Sequence, residues 1–262
     1  MTATQRGAPP RRVARRDLVA PVLYGLTVLL QIAYPLTADG GAGRDRLTVL
    51  VVVLGAAAAL VHAGVTTGRR GLVALVAVGA IGLGAEAVGV ATGVPFGSYA
   101  YAGTLGPEVV GVPLLVVAAW VFMAWPAAVV ARAVASSWAA RVAVAAVGLA
   151  AWDVFLDPQM VTAGHWTWAP GGWRLPGIAD VPVSNFAGWL LVSAVIAVVL
   201  QAVPPPAGGP AARGPLLFYV WTACSSTLAA GVFWDRPAVA AWGLLAMGPV
   251  AVLAARAASR RA

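Results

Sequence analysis

Glu86, Asp153 and Asp157 are the residues of this chain best placed to do chemistry, because each lies within or at the end of a long apolar run. A charged side chain at the centre of a membrane-spanning helix costs about 2.5–3.5 kcal/mol on insertion scales, so a carboxyl in such a run marks a functional site or a paired group. Asp153 and Asp157 are spaced i, i+4, which turns both to one face of a continuous helix, and Pro158 is expected to end that helix. Asp153 stands about 18 Å along that helix from Arg141 at the inner interface, at 1.5 Å per residue. Glu86 lies near the outward end of its own run, so the three carboxyls share the outer half of the membrane and can converge. A desolvated carboxylic acid stays protonated at neutral pH and can donate that proton, while a second carboxylate orients water and offsets positive charge. Two close carboxyls titrate as a pair, so neither Glu86 nor Asp153 is singled out as the donor. The structural alternative is that the aspartates only cap or pair at a helix end.

Other polar and aromatic residues surround this trio in the sequence. Asn185 follows Pro182 and Ser184 at the start of an apolar run, the default place for a helix N-cap, yet it points its amide toward the same membrane end and could hold a water or a carboxylate. His165, in HWTW, is either a proton carrier or an interfacial anchor among tryptophans. Trp166 and Trp168 belong either to an aromatic belt or to a polyene site. Tyr99 and Tyr101 point the same way only if their loop is extended. His62 has no second ligand at metal spacing and reads as a satisfied polar residue. With no dinucleotide glycine fingerprint, no cysteine cluster and no paired histidine, no metal and no redox cofactor is expected.

The elements that must position these groups are transmembrane helices. The 262 residues are 61% hydrophobic and 10% charged, against about 45–50% and about 25% in soluble domains. Apolar runs long enough for a hydrocarbon core of about 30 Å recur at about 18–37, 47–67, 71–91, 110–134, 141–157, 186–203, 215–234 and 237–257. The expected fold is an all-α, polytopic membrane bundle of about eight helices: a basic cytoplasmic tail over 1–17, not a signal peptide, one helical domain over 18–257 and a short cytoplasmic tail over 258–262. The PPPAGGPAARGP stretch at 204–215 reads as a linker. All 17 basic residues are Arg. Placing both termini inside puts thirteen arginines on the inner side and leaves Arg44, Arg46, Arg174 and Arg236 outside. The net charge of +8 is thus an orientation signal in a multi-pass cell-membrane protein, and no nucleic-acid partner is expected. The lack of Lys excludes a retinal Schiff base, and Cys224, the sole cysteine, excludes an internal disulfide.

Four segments carry a resemblance: EAVGVATGVPFGSYAY at 86–101, LGPEVVGVPLLVVAAW at 105–120, AWDVFLDPQMVTAGHWTW at 151–168 and VPVSNFAGW at 181–189. In order and spacing they resemble the membrane carotenoid biosynthesis proteins that act as carotenoid hydratases, over about residues 71–200. The resemblance implies addition of water across the terminal C=C of an acyclic carotenoid, giving a tertiary alcohol without a cofactor. It implies a membrane-embedded carotenoid as substrate and other carotenoid biosynthetic enzymes as partners. Glu86, Asp153, Asp157 and Asn185 occupy the polar positions of those motifs. The chain departs at Ala179 and Asp180, where the family pattern has an aromatic–glycine pair.

Two other functions fit some of the residues. The D-x-x-x-D spacing of Asp153 and Asp157 could hold magnesium and a diphosphate in a membrane prenyltransferase, although no second Asp-rich motif accompanies it. A non-catalytic carotenoid-binding or proton-coupled transport protein would use Glu86 and Asp153 as a proton relay.

Overall fold

The computed structural model describes residues 15–38, 41–203 and 205–260. The tail expected over 1–17 lies almost entirely outside the described residues, as do the last two residues of the C-terminal tail. Among the described residues, eight helices are long and apolar enough to cross a membrane. They are α1 (Arg15–Ala33), α2 (Ala42–Thr67), α3 (Arg69–Thr92), α4 (Leu114–Val134), α5 (Trp138–Thr162), α6 (Val183–Ala202), α7 (Gly209–Leu228) and α8 (Pro237–Ser259). A 3-10 turn, Tyr34–Leu36, extends α1, and a π-helical segment, Ala229–Phe233, extends α7. In lipid the backbone has no water to bond, so apolar segments of this length satisfy their polar groups as helices.

Helix α4 is the axis of the bundle, with 83% of its span buried against 22–50% for the others. It packs on α2, α3, α5, α6, α7 and α8, and apart from Arg132 in its last turn its sequence is apolar on every side, as a fully surrounded helix requires. Small residues on neighbouring helices admit its large ones. A Cβ on Gly82 of α3 would come within 2.6 Å of the Trp120 ring of α4, so only glycine allows this approach.

Successive helices run antiparallel, which gathers the long connections 93–113 and 163–182 at one end. There β1 (Tyr99–Tyr101) pairs antiparallel with β4 (Trp166–Trp168), Tyr99 opposite Trp168 and Tyr101 opposite Trp166. A hairpin of β2 (Glu108–Val109) and β3 (Val112–Pro113) lies between them in sequence.

Three expectations from the sequence are corrected. Pro158 does not end α5, which continues to Thr162. Continuing forfeits the bond that the missing proline N–H would make to the Val154 carbonyl, and in the last turn the Pro158 carbonyl is held by Thr162 Oγ1 at 2.8 Å and by Arg236 at 2.7 Å. The stretch read as a linker over 204–215 is helical from Gly209, because Pro210 sits in the first turn, where its missing N–H has no helical partner to lose. Residues 110–113 belong to the β2–β3 hairpin, so α4 starts at Leu114.

Candidate active site

Helix α3 carries Glu86 to the end of the bundle nearest the two long connections, and three donors converge on it. Tyr99 Oη donates to Oε2 at 2.5 Å, Tyr101 Oη donates to the same oxygen at 2.8 Å, and Trp120 Nε1 donates to Oε1 at 3.1 Å. The tyrosines reach one carboxyl because β1 is extended, so residues two apart share a face. Burial, then the nearby Glu86 charge, raise both phenols above their usual range, so each stays a protonated donor. Glu86 itself is buried.

Helix α5 carries the aspartates. Asn185 Nδ2 donates to Oδ2 of Asp153 at 2.7 Å and also to Oδ2 of Asp157. The two carboxyls thus meet at one amide, which sets them side by side. Asn185 is therefore no N-cap: Pro182 holds that position, and the Asn185 side chain reaches across to α5 from inside the first turn of α6. Asp153 Oδ1 and Trp166 Nε1 have no hydrogen-bond partner among the described residues.

Glu86, Asp157 and Asn185 line one cavity of about 40 Å3, room for a water or two. The β1–β4 pair roofs it: Tyr99, Tyr101, Trp166 and Trp168 all face inward. Trp168 stacks on Tyr99 with ring centroids 5.7 Å apart, and Trp189 of α6 stacks on Trp120 at 3.8 Å. Asp153 stands behind Asp157 and Asn185 and reaches the cavity through them.

The remaining candidates lie elsewhere. His165 is buried beside the roof, its Nδ1 2.8 Å from Thr104 Oγ1 and its Nε2 3.8 Å from an Asp45 oxygen, and it does not line the cavity. Burial lowers its pKa, with Asp45 opposing. His62 is fully engaged, with Trp125 Nε1 at 2.9 Å on Nδ1 and the Ala211 carbonyl at 2.7 Å from Nε2. The departure at Ala179 and Asp180 serves a loop clamp: Asp180 pairs with Arg236 at 2.6 Å, and the Ala179 carbonyl accepts from Arg174 at 2.5 Å.

Sequence reasoning passed over Trp120 and Trp189. A buried indole N–H needs an acceptor, and a tryptophan amid the apolar residues of α4 was the available sign that a polar partner lies opposite.

The arrangement offers a carboxyl pair meeting at one amide, a third carboxyl with three donors on its oxygens, and aromatic faces around a small space. The described relative, the bisanhydrobacterioruberin hydratase of Haloarcula japonica, is 36% identical over 141 residues, which is 50% of this chain and 45% of the relative. The chain thus matches about half the length of that curated relative. No solved structure matches. A family model for carotenoid biosynthesis proteins matches residues 47–255, taking in the helices that carry Glu86, Asp153, Asp157 and Asn185 together with the roof between them. On that match, which covers most of its length, the chain belongs to the carotenoid biosynthesis protein family.

Proposed function

We propose that this membrane protein is a carotenoid hydratase, a cofactor-independent lyase that adds water across the terminal C=C of an acyclic carotenoid end. The observation that carries the proposal is the meeting of Glu86 and Asp157, from different helices, in one cavity walled by aromatic rings. Hydrating a trisubstituted alkene needs a proton on the less substituted carbon, a means of tolerating the tertiary cation, and a water on the cationic carbon.

The Asp153–Asp157 pair suits the first task. An ionised carboxyl only accepts hydrogen bonds, so two carboxyls brought to one amide are best satisfied when one of them carries a proton. Transfer of that proton to the alkene makes the new C–H bond and leaves the positive charge on the tertiary carbon. Glu86, with three donors already on its oxygens, suits the role of acceptor. It offsets the cation's charge, and the faces of Trp168 and Trp189 add cation–π stabilisation of about 0.5–2 kcal/mol. Water then forms the C–O bond and returns a proton to the aspartate pair, so the net change is one water gained and the acid is restored.

A magnesium-dependent prenyltransferase fits less well, because the Asn185 N–H points at both Oδ2 atoms, the position a bound cation would need.

The deciding experiment incubates the membrane-embedded protein with an acyclic carotenoid, in water and in heavy water, after exhaustive chelation. The expected product gains the mass of one water and carries a carbon-bound deuterium in heavy water. Absence of product, or activity restored only by magnesium, overturns the proposal.

A further inference from the structure

A second and larger cavity, about 410 Å3, lies beside the carboxyl cavity between α1, α2, α5 and the α7–π segment. Its size falls within the about 300–1,000 Å3 usual for small-molecule sites. Thr48, Val52, Leu156 and Met160 line both cavities, so these four side chains form a shared wall. The deeper surface of the larger chamber is aromatic, with Phe122 and Trp152 packed edge to face, 5.6 Å between centroids. Its polar groups are largely turned onto the protein: Gln31 Oε1 accepts from Trp221 Nε1 at 2.9 Å, and Thr48 Oγ1 bonds the Arg44 carbonyl at 3.1 Å.

Its rim is formed by Ile32, Leu36, Leu228 and Phe233, which are 44%, 69%, 57% and 46% exposed. These lie on helices that cross the membrane, so the mouth opens sideways between α1 and α7 into lipid. Water is a poor occupant for a chamber with such a rim, and an apolar molecule already dissolved in the bilayer is a good one.

The carboxyl cavity, at about 40 Å3, holds a reacting end group at most. Any long substrate must therefore leave it through a wall, and the shared wall has a chamber behind it. Three of its four side chains are apolar, and Met160 has the flexible, unbranched side chain that yields most easily.

We propose that the chamber between α1, α2, α5 and α7 binds the unreacted polyene chain of the substrate. The chain enters from lipid between α1 and α7 and delivers its end past Thr48, Val52, Leu156 and Met160 into the carboxyl cavity. The identity of the chain as an isoprenoid polyene rests on the function proposed above, whereas the site and its route rest on the two cavities.

Cys224 lines the chamber, is exposed and is the only cysteine in the chain, which makes it a reporter. The test uses the full chain in lipid nanodiscs with lycopene, an acyclic polyene, as probe. Alkylation of Cys224 by a maleimide is timed with and without lycopene, and hydrated product is measured on the same samples. Ser225→Trp and Val51→Trp, which fill the chamber from opposite helices, are compared with the parent for retained pigment and thermal stability.

Lycopene is expected to slow Cys224 alkylation about tenfold, and each folded filled variant to retain about tenfold less pigment. If a variant does not fold, the alkylation rates of the parent decide alone. Equal alkylation rates with and without lycopene overturn the chamber, and product formation under those conditions would leave the hydratase proposal standing. Protection of Cys224 without any hydrated product supports the chamber and removes the hydratase proposal.

Discussion

Tyr99 Oη lies 2.5 Å from Oε2 of Glu86, joining the roof of the cavity to the wall that carries its carboxyl. Replacing Tyr99 with Phe keeps the ring against Trp168 but leaves a buried carboxyl short of one donor, a loss worth about 1–3 kcal/mol. Product formation is expected to fall roughly fivefold to a hundredfold, with the larger share in kcat, and Tyr101→Phe to behave alike. Parent-like turnover in both variants would show that the tyrosines only brace the roof.

Among the carboxyls, Glu86→Gln and Asp157→Asn are expected to lower turnover by about 10²–10⁴-fold, the usual contribution of a positioned acid or base. Asp153→Asn is expected to be as damaging, because it removes the partner that shares the proton with Asp157. Asp157 lines the cavity wall, on a helix that continues past Pro158. Carboxyl-to-amide changes relieve the burial penalty, so thermal stability should be unchanged or slightly higher. Loss of product only in unfolded samples would make the carboxyls structural.

Orientation is a separate prediction. By the positive-inside rule, the thirteen-to-four distribution of arginines predicts both termini in the cytoplasm and the cavity in the outer half of the membrane. A reporter fused after Ala262 should read as internal, and one inserted in the loop near Gly171 as external. The opposite pair of readings would invert the molecule.

His165 gives a pH signature. An unfolded imidazole titrates near 6.5, and burial lowers the folded value below it. Between those two values the unfolded chain binds more protons, so stability is full above about pH 6.5, falls as the pH drops through that window and levels off once the folded imidazole protonates. His165→Gln should flatten the fall in melting temperature from about pH 7.5 to about pH 5. Parallel curves for parent and variant would place the pH dependence elsewhere.

The family and the eight spans were legible because both are local. A run of about twenty apolar residues must become a helix in lipid whatever surrounds it, and a motif is a string. The positions of Glu86, Asp153, Asp157 and Asn185 were legible for the same reason, since each polar residue in or beside an apolar run is conspicuous. Boundaries were less so: how far α5 runs past Pro158 depends on distant partners for its last carbonyls, such as Arg236, which comes 78 residues after Pro158 in the chain.

What the tertiary structure alone decided is which groups meet. The sequence leaves Tyr99 and Tyr101 in a loop of unknown shape, and only pairing with Trp166–Trp168 extends them so that both reach Glu86. It offers Asn185 as a cap, and only the contact of α6 with α5 turns the amide onto the aspartates. It shows no difference in kind between Asp153 and Asp157, and packing puts the second in the cavity and the first behind it. Helix formation is set residue by residue along the chain, whereas the rotation of each helix about α4 is set by side chains far away in sequence, such as Trp120 against Gly82.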